Sequence, residues 1–132
     1  MKKKVLAREQ LLHDLLKLHI PDDYVSYFDL VEVRSNKECH ELILYEKEEL
    51  IAEELKERED VVLDGFCNPI SILSHAFSLK KIYLVVYRRR WKMAGTDQHY
   101  SNSYDLYPEG AKITRDLAAF LKGWDRIAPR QR

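Results

Sequence analysis

Two segments near the ends of the chain repeat apolar residues at helical spacing. Between residues 5 and 18, leucines return every three or four positions with charged residues between them, and Pro21 follows. Residues 113–124 show the same pattern after Pro108. Because this spacing places apolar side chains along one face of a helix, we predict an amphipathic helix in each segment.

The stretches between these helices favour extended structure. Residues 27–34 and 41–45 are rich in strand-forming residues, and the polar triplet 35–37 between them predicts a hairpin turn. Further strands are predicted at 61–63, 70–77, 80–91 and 100–107, with a second tight reversal near Ser78.

One glutamate-rich segment, residues 46–59, is made of strong helix formers. Leu50, Ile51 and Leu55 form only a thin apolar stripe, so a helix here would mostly face solvent. The predicted fold class is α+β, a mostly antiparallel sheet with N-terminal and C-terminal amphipathic helices and one acidic helix between strands. We expect a single domain over residues 1–132, with 1–4 and 126–132 flexible.

The composition is that of a folded, water-soluble chain. Among 132 residues, 45% are hydrophobic and 33% charged, which is enough apolar material for one core. No apolar run approaches the roughly 18 residues of a membrane span, so we expect a cytoplasmic protein without a membrane partner. Cys39 and Cys67 stand alone, which disfavours a disulfide framework or a cysteine zinc motif and favours buried thiols.

The zero net charge conceals an asymmetry along the chain. Residues 1–60 hold 10 Lys or Arg against 16 Asp or Glu, whereas residues 61–132 hold 12 against 6. A chain polarised in this way can attract a polyanion to one face while its acidic part limits nonspecific binding.

The most polarised segment is an apolar strand that runs into Arg88, Arg89, Arg90, Trp91 and Lys92. The planar guanidinium donates paired hydrogen bonds to phosphate, and an aromatic ring can stack on an unpaired base. These residue types together predict a nucleic-acid-binding site. We expect the site to extend over further cations of the same half of the chain, namely Lys80, Lys81, Lys112 and Arg115.

A structural interpretation of the same segment stays open. Arg88–Arg90 could pair with carboxylates of the acidic first half while Trp91 packs in the core.

Other chemistry has little support in the sequence. Cys39, His40, Cys67 and His75 lack the spacing of a structural zinc site, and the isolated glycines form no phosphate-cradling loop. His99 and Tyr104 are the residues that a metal-independent nuclease could use, although loop composition explains them equally well. We therefore expect no catalytic residue, no metal and no cofactor.

The segments 80–91, 109–114 and 117–122, anchored by the triple arginine and its tryptophan, resemble the N-terminal region of ISAon-family bacterial insertion-sequence transposases. Weaker similarity extends the match to roughly residues 11–122. The chain is also similar to zinc-binding N-terminal domains of related transposases, in which paired cysteines flank the basic strand. No cysteine lies near Arg88–Arg90, so a DNA-binding role here would be metal-free.

The resemblance implies a noncatalytic DNA-binding or DNA-end-recognition region associated with a DDE-type transposase. The chemistry would belong to a separate catalytic part, and the expected partners are the DNA ends of a mobile element and the transposase catalytic subunit. Two alternatives remain: a protein-interaction module that binds no nucleic acid, and a small metal-independent nuclease.

Overall fold

A computed structural model describes residues 7–76 and 79–127 of the chain, excluding the side chains of Glu9, His13 and residues 124–127. Helices and strands alternate irregularly, as an α+β fold requires. The elements are α1 (Arg8–Lys17), α2 (Asp22–Val25), β1 (Phe28–Ser35), β2 (Cys39–Glu46), a 3-10 turn (Glu53–Leu55), β3 (Val61–Phe66), β4 (Ile70–His75), β5 (Lys81–Tyr87), β6 (Arg89–Met93), β7 (His99–Tyr100) and α3 (Arg115–Ile127).

The larger sheet has the strand order β1-β2-β5-β4. The predicted hairpin between β1 and β2 is confirmed, and the Asn36 side chain closes its turn by accepting the backbone N–H groups of Glu38 and Cys39. The other outer pair, β4 and β5, is also antiparallel. The central pair, β2 and β5, is parallel. Parallel neighbours need a long connection, and here it runs through β3 of the second sheet and then β4.

One face of this sheet forms the main core. Strand alternation places Leu42 and Leu44 of β2 beside Leu84 and Val86 of β5, and all four are almost fully buried. Burial of each such side chain stabilises the fold by about 2 kcal/mol. From α2, the Tyr24 hydroxyl donates to the Leu106 carbonyl at 2.6 Å, which fixes the 101–107 segment over the core.

The smaller sheet has the order β3-β6-β7 and changes one prediction. Residues 80–91 were predicted to form one strand, but β5 and β6 belong to different sheets and Arg88 lies between them. The backbone N–H of Arg89 donates to the Glu46 side chain at 2.8 Å. This side-chain acceptor marks the point where the chain leaves one sheet and enters the other.

The predicted acidic helix over 46–59 is wrong. Glu46 belongs to β2, and only Glu53–Leu55 forms a 3-10 turn. Ala52 and Leu55 are the buried apolar residues of this segment, and two apolar side chains bury too little surface to stabilise a helix of closely spaced glutamates. The strand predicted at 100–107 is also shorter, since pairing with β6 stops at Tyr100.

The terminal helices are confirmed with shifted bounds. α1 buries Leu16 against the core, and the first residues of the predicted helix lie outside the described part of the chain, as does Ser78. α3 starts at Arg115 because Thr114 caps it, its hydroxyl accepting the Leu117 N–H at 3.2 Å. Of the segments predicted to be flexible, residues 1–4 and 128–132 lie outside the described residues, whereas Arg126 and Ile127 belong to α3.

Candidate nucleic-acid interface

A buried carboxylate organises the junction between the two sheets. Glu46 continues the inward alternation of β2 and is only 1% exposed. Its Oε1 accepts the Arg89 N–H, while its Oε2 accepts the Asn102 amide at 3.1 Å and the Tyr104 hydroxyl. Burial, followed by the hydrogen bond to Glu46, raises the pKa of Tyr104 above its ordinary value. This network ties β2, β6 and the 102–104 segment together.

Arg89 is held inside this junction. Its side chain is 11% exposed, its Nε donates to the Glu46 carbonyl at 2.7 Å, and its Nη2 lies 3.9 Å from the Glu48 carboxylate. The guanidinium also lies over the Phe66 ring, 5.2 Å from its centroid. A guanidinium with these contacts contributes to joining the sheets and has little surface left for a ligand.

Arg88 and Trp91 are also directed inward. Arg88 donates through Nη1 to the Asn102 carbonyl at 3.1 Å. Trp91 is 7% exposed and packs with Ala52 and Leu55 in a second, smaller core. The atoms Arg88 Nε and Trp91 Nε1 are buried without a hydrogen-bond partner among the described residues. The positions of Arg89 and Trp91 agree with the structural interpretation of the basic segment, whereas Arg88 bonds to a main-chain carbonyl and not to a carboxylate.

Arg90 and Lys92 point the other way, onto the outer face of the smaller sheet. His99 of β7 is the cross-strand partner of Lys92 and therefore lies on the same face. The Asp64 carboxylate of β3 contacts both Arg90 and His99. Asp64 Oδ2 is 2.5 Å from His99 Nε2 and 3.6 Å from Arg90 Nη2, and Arg90 Nε donates to the Asp64 carbonyl at 2.8 Å. We call Asp64, Arg90, Lys92 and His99 the outer-face cluster.

The electrostatics of the outer-face cluster are dominated by its cations. The hydrogen bond from His99, and then the nearby charges of Lys92 and Arg90, lower the pKa of Asp64. The side chain of Arg90 remains 42% exposed. Two permanent cations and one histidine therefore share a single carboxylate at an accessible surface.

The remaining predicted site residues lie elsewhere. Lys80 and Lys81 lie at the start of β5, and the strand's seven residues separate them from Arg88 by roughly 20 Å. Lys112 precedes α3, and Arg115 at its first position pairs with the Asp105 carboxylate. The structure thus brings Arg90 and Lys92 together but spreads the other cations over separate surfaces.

Sequence reasoning missed the two carboxylates that arrange this region. For Glu46 a signal was present, since Leu42, Leu44 and Glu46 alternate on one strand face and so predict a glutamate directed into the core. For Asp64 there was none, because its nearest cations are 26 or more positions away in sequence.

The residues named for other chemistry have separate partners. His99 contacts Asp64, whereas Tyr104 contacts Glu46, so the described contacts do not join them into one catalytic set. His40 bonds to Ser35, and His75 packs on the His19 ring. Within residues 7–76 and 79–127, no three His, Cys, Asp or Glu side chains are placed to share a metal ion.

Comparisons with protein-family models, with curated proteins and with solved structures find no match to this chain. Over the described ranges, none of the helices has the length and apolar character needed to cross a membrane.

Proposed function

We propose that this chain is a noncatalytic DNA-binding domain that works with a DDE-type transposase catalytic subunit and contacts DNA phosphates through the outer-face cluster. The observation that carries the proposal is the convergence of Arg90, Lys92 and His99 on one accessible sheet face. The resemblance of the basic segment to ISAon-family transposase N-terminal regions supports the same class of ligand.

The chemistry of the cluster suits a phosphate backbone. A guanidinium offers several donors in one plane, and an ammonium adds a compact charge that attracts phosphate from any direction. Each phosphate contact releases counterions, so binding should weaken with salt in proportion to the number of contacts. No base-reading residue is assigned, because phosphate contacts position a protein on DNA without specifying its sequence.

The test is fluorescence anisotropy with labelled duplex and single-stranded DNA at about 50 and about 200 mM NaCl. We expect the double variant Arg90→Ala/Lys92→Ala to bind at least about tenfold more weakly, and its duplex salt slope to fall by about 1.8. The matched control is Lys81→Ala/Lys112→Ala, which removes two exposed cations from other surfaces. Equal losses in both double variants would show that only overall charge matters and would refute the assignment of this face.

A second candidate function is a protein-interaction module, and α1 supplies the observation in its favour. Leu15 is 61% exposed and Leu18 79% exposed, and Leu11 and Leu12 are exposed beside them. Exposed leucines on one short helix are typical of a surface that another protein covers. If this is the function, the wild-type chain binds no DNA, and Leu15→Ser/Leu18→Ser should abolish its salt-insensitive binding to a partner protein.

A further inference from the structure

We propose that Asp64 occupies the place of a phosphate in the outer-face cluster, so that the chain carries a phosphate-ester anion site that its own carboxylate partly blocks. This inference deepens the proposed function and rests on it. It assigns Asp64 as an intramolecular competitor of the DNA backbone rather than as a contact to DNA.

The geometry resembles that of a bound anion. The same carboxylate oxygen, Oδ2, lies 2.5 Å from His99 Nε2 and 3.6 Å from Arg90 Nη2. Lys92 acts on Asp64 electrostatically from the neighbouring position on β6. Two groups, from β6 and β7, therefore converge on one oxygen with a third cation nearby, as donors and charges do around a phosphate oxygen.

The backbone holds the cations independently of this carboxylate. Arg90 Nε donates to the main-chain carbonyl of Asp64, a contact that any side chain at position 64 would leave in place. Lys92 and His99 are register partners across β6 and β7. Removing the carboxylate should therefore leave the cations in position and free their donors.

The next residue, Gly65, gives the anion room to approach. It has a φ of +75° and no side chain. Apart from its two chain neighbours, Arg90 Nη2 is the one described atom within 4 Å of the position that a Cβ would take, at 3.8 Å. A phosphate can approach the guanidinium closely at a glycine because no side chain intervenes.

The direct experiment compares wild type with Asp64→Asn, which keeps the size of the side chain and an acceptor oxygen for His99. We expect Asp64→Asn to bind duplex DNA about fivefold more tightly at low salt, the effect of removing one unit charge about 4 Å from a phosphate when both charges are well solvated. Its salt slope should steepen by about 0.9, the value for one added phosphate contact. Glu109→Gln, the same charge change at an exposed position outside the cluster, should have a smaller effect.

A second readout uses inorganic phosphate and needs no DNA. Nuclear magnetic resonance of the His99 ring and the Arg90 side chain should show phosphate-dependent shifts in Asp64→Asn that are weak in wild type. Asp64→Ser is a second variant that removes the carboxylate, and both variants should retain the circular dichroism spectrum of wild type.

The outcomes separate the two proposals. Tighter DNA binding and stronger phosphate shifts in Asp64→Asn would support the blocked site. DNA binding that depends on Arg90 and Lys92 but is unchanged or weaker in Asp64→Asn would overturn the inference and leave the proposed function standing. Phosphate shifts in Asp64→Asn without DNA binding by any variant would support the anion site and refute the DNA-binding function, whereas absence of both would refute both.

Discussion

Replacement of Glu46 by glutamine should destabilise the fold strongly, although glutamine has nearly the same size and shape as glutamate. The carboxylate is 1% exposed, and its two oxygens accept from the Arg89 backbone, the Asn102 amide and the Tyr104 hydroxyl. In Glu46→Gln, one oxygen becomes an NH₂ group that faces at least one of these donors. At least one buried donor then loses its acceptor.

The magnitude follows from the cost of an unsatisfied buried donor, about 1–3 kcal/mol. If the amide nitrogen faces Arg89, the backbone N–H of Arg89 is left unpaired. If it faces Tyr104, the hydroxyl can rotate and accept, but the Asn102 N–H that bonds to Glu46 loses its acceptor, while the other Asn102 N–H keeps the Leu50 carbonyl. We therefore expect the free energy of unfolding to fall by about 2 kcal/mol, a large part of the roughly 5–15 kcal/mol of a typical domain.

Urea unfolding followed by circular dichroism measures the effect as a midpoint shift of about 1 M. Glu48→Gln is the matched control, because the same chemical change at a side chain 80% exposed should cost under about 0.5 kcal/mol. A midpoint for Glu46→Gln no lower than that of Glu48→Gln would refute the interpretation of Glu46 as the link between the sheets. A double-mutant cycle that combines Glu46→Gln with Tyr104→Phe measures the interaction free energy between the Glu46 carboxylate and the Tyr104 hydroxyl.

Three further predictions concern other parts of the fold. Burial, and then the charge of His75, lower the pKa of His19 below 6.5, so the unfolded chain takes up a proton before the folded chain as the pH falls. The stability of the fold should therefore decrease between about pH 7 and about pH 5, which urea unfolding midpoints measure, and His19→Asn should weaken this pH dependence. Gly65→Ala should cost about 1–2 kcal/mol because the φ of Gly65 is +75°. Gly123→Ala within α3 should instead stabilise by about 0.5–1 kcal/mol, because a Cβ there meets no described atom within 4 Å. Equal effects of the two substitutions in thermal unfolding would contradict this. Trp91→Phe should cost under about 2 kcal/mol by urea unfolding, since it removes a buried donor without a partner, against about 3–5 kcal/mol for Trp91→Ala.

Only part of the geometry of the candidate site follows from the sequence. Alternation of side chains along β6 places Arg90 and Lys92 on one face and Arg89 and Trp91 on the other, because it is a property of any strand. It gives no information about which face is covered. Ala52 and Leu55 cover the Trp91 side, and Glu46 and Glu48 engage Arg89, so among the described residues the Arg90 side of β6 is the more exposed one.

What the sequence by itself determined is local. Helical spacing of leucines, strand-forming runs and the polar triplet at 35–37 set the terminal helices, most strand positions and the first hairpin, because those features depend on neighbours a few residues apart. Tertiary structure decided the rest. The change of sheet at Arg88, the reduction of the acidic segment to a 3-10 turn and the choice of Arg90 over Arg89 as the accessible cation all depend on partners far apart in sequence. Those partners, above all Glu46 and Asp64, act through burial and charge that exist only once the chain has folded.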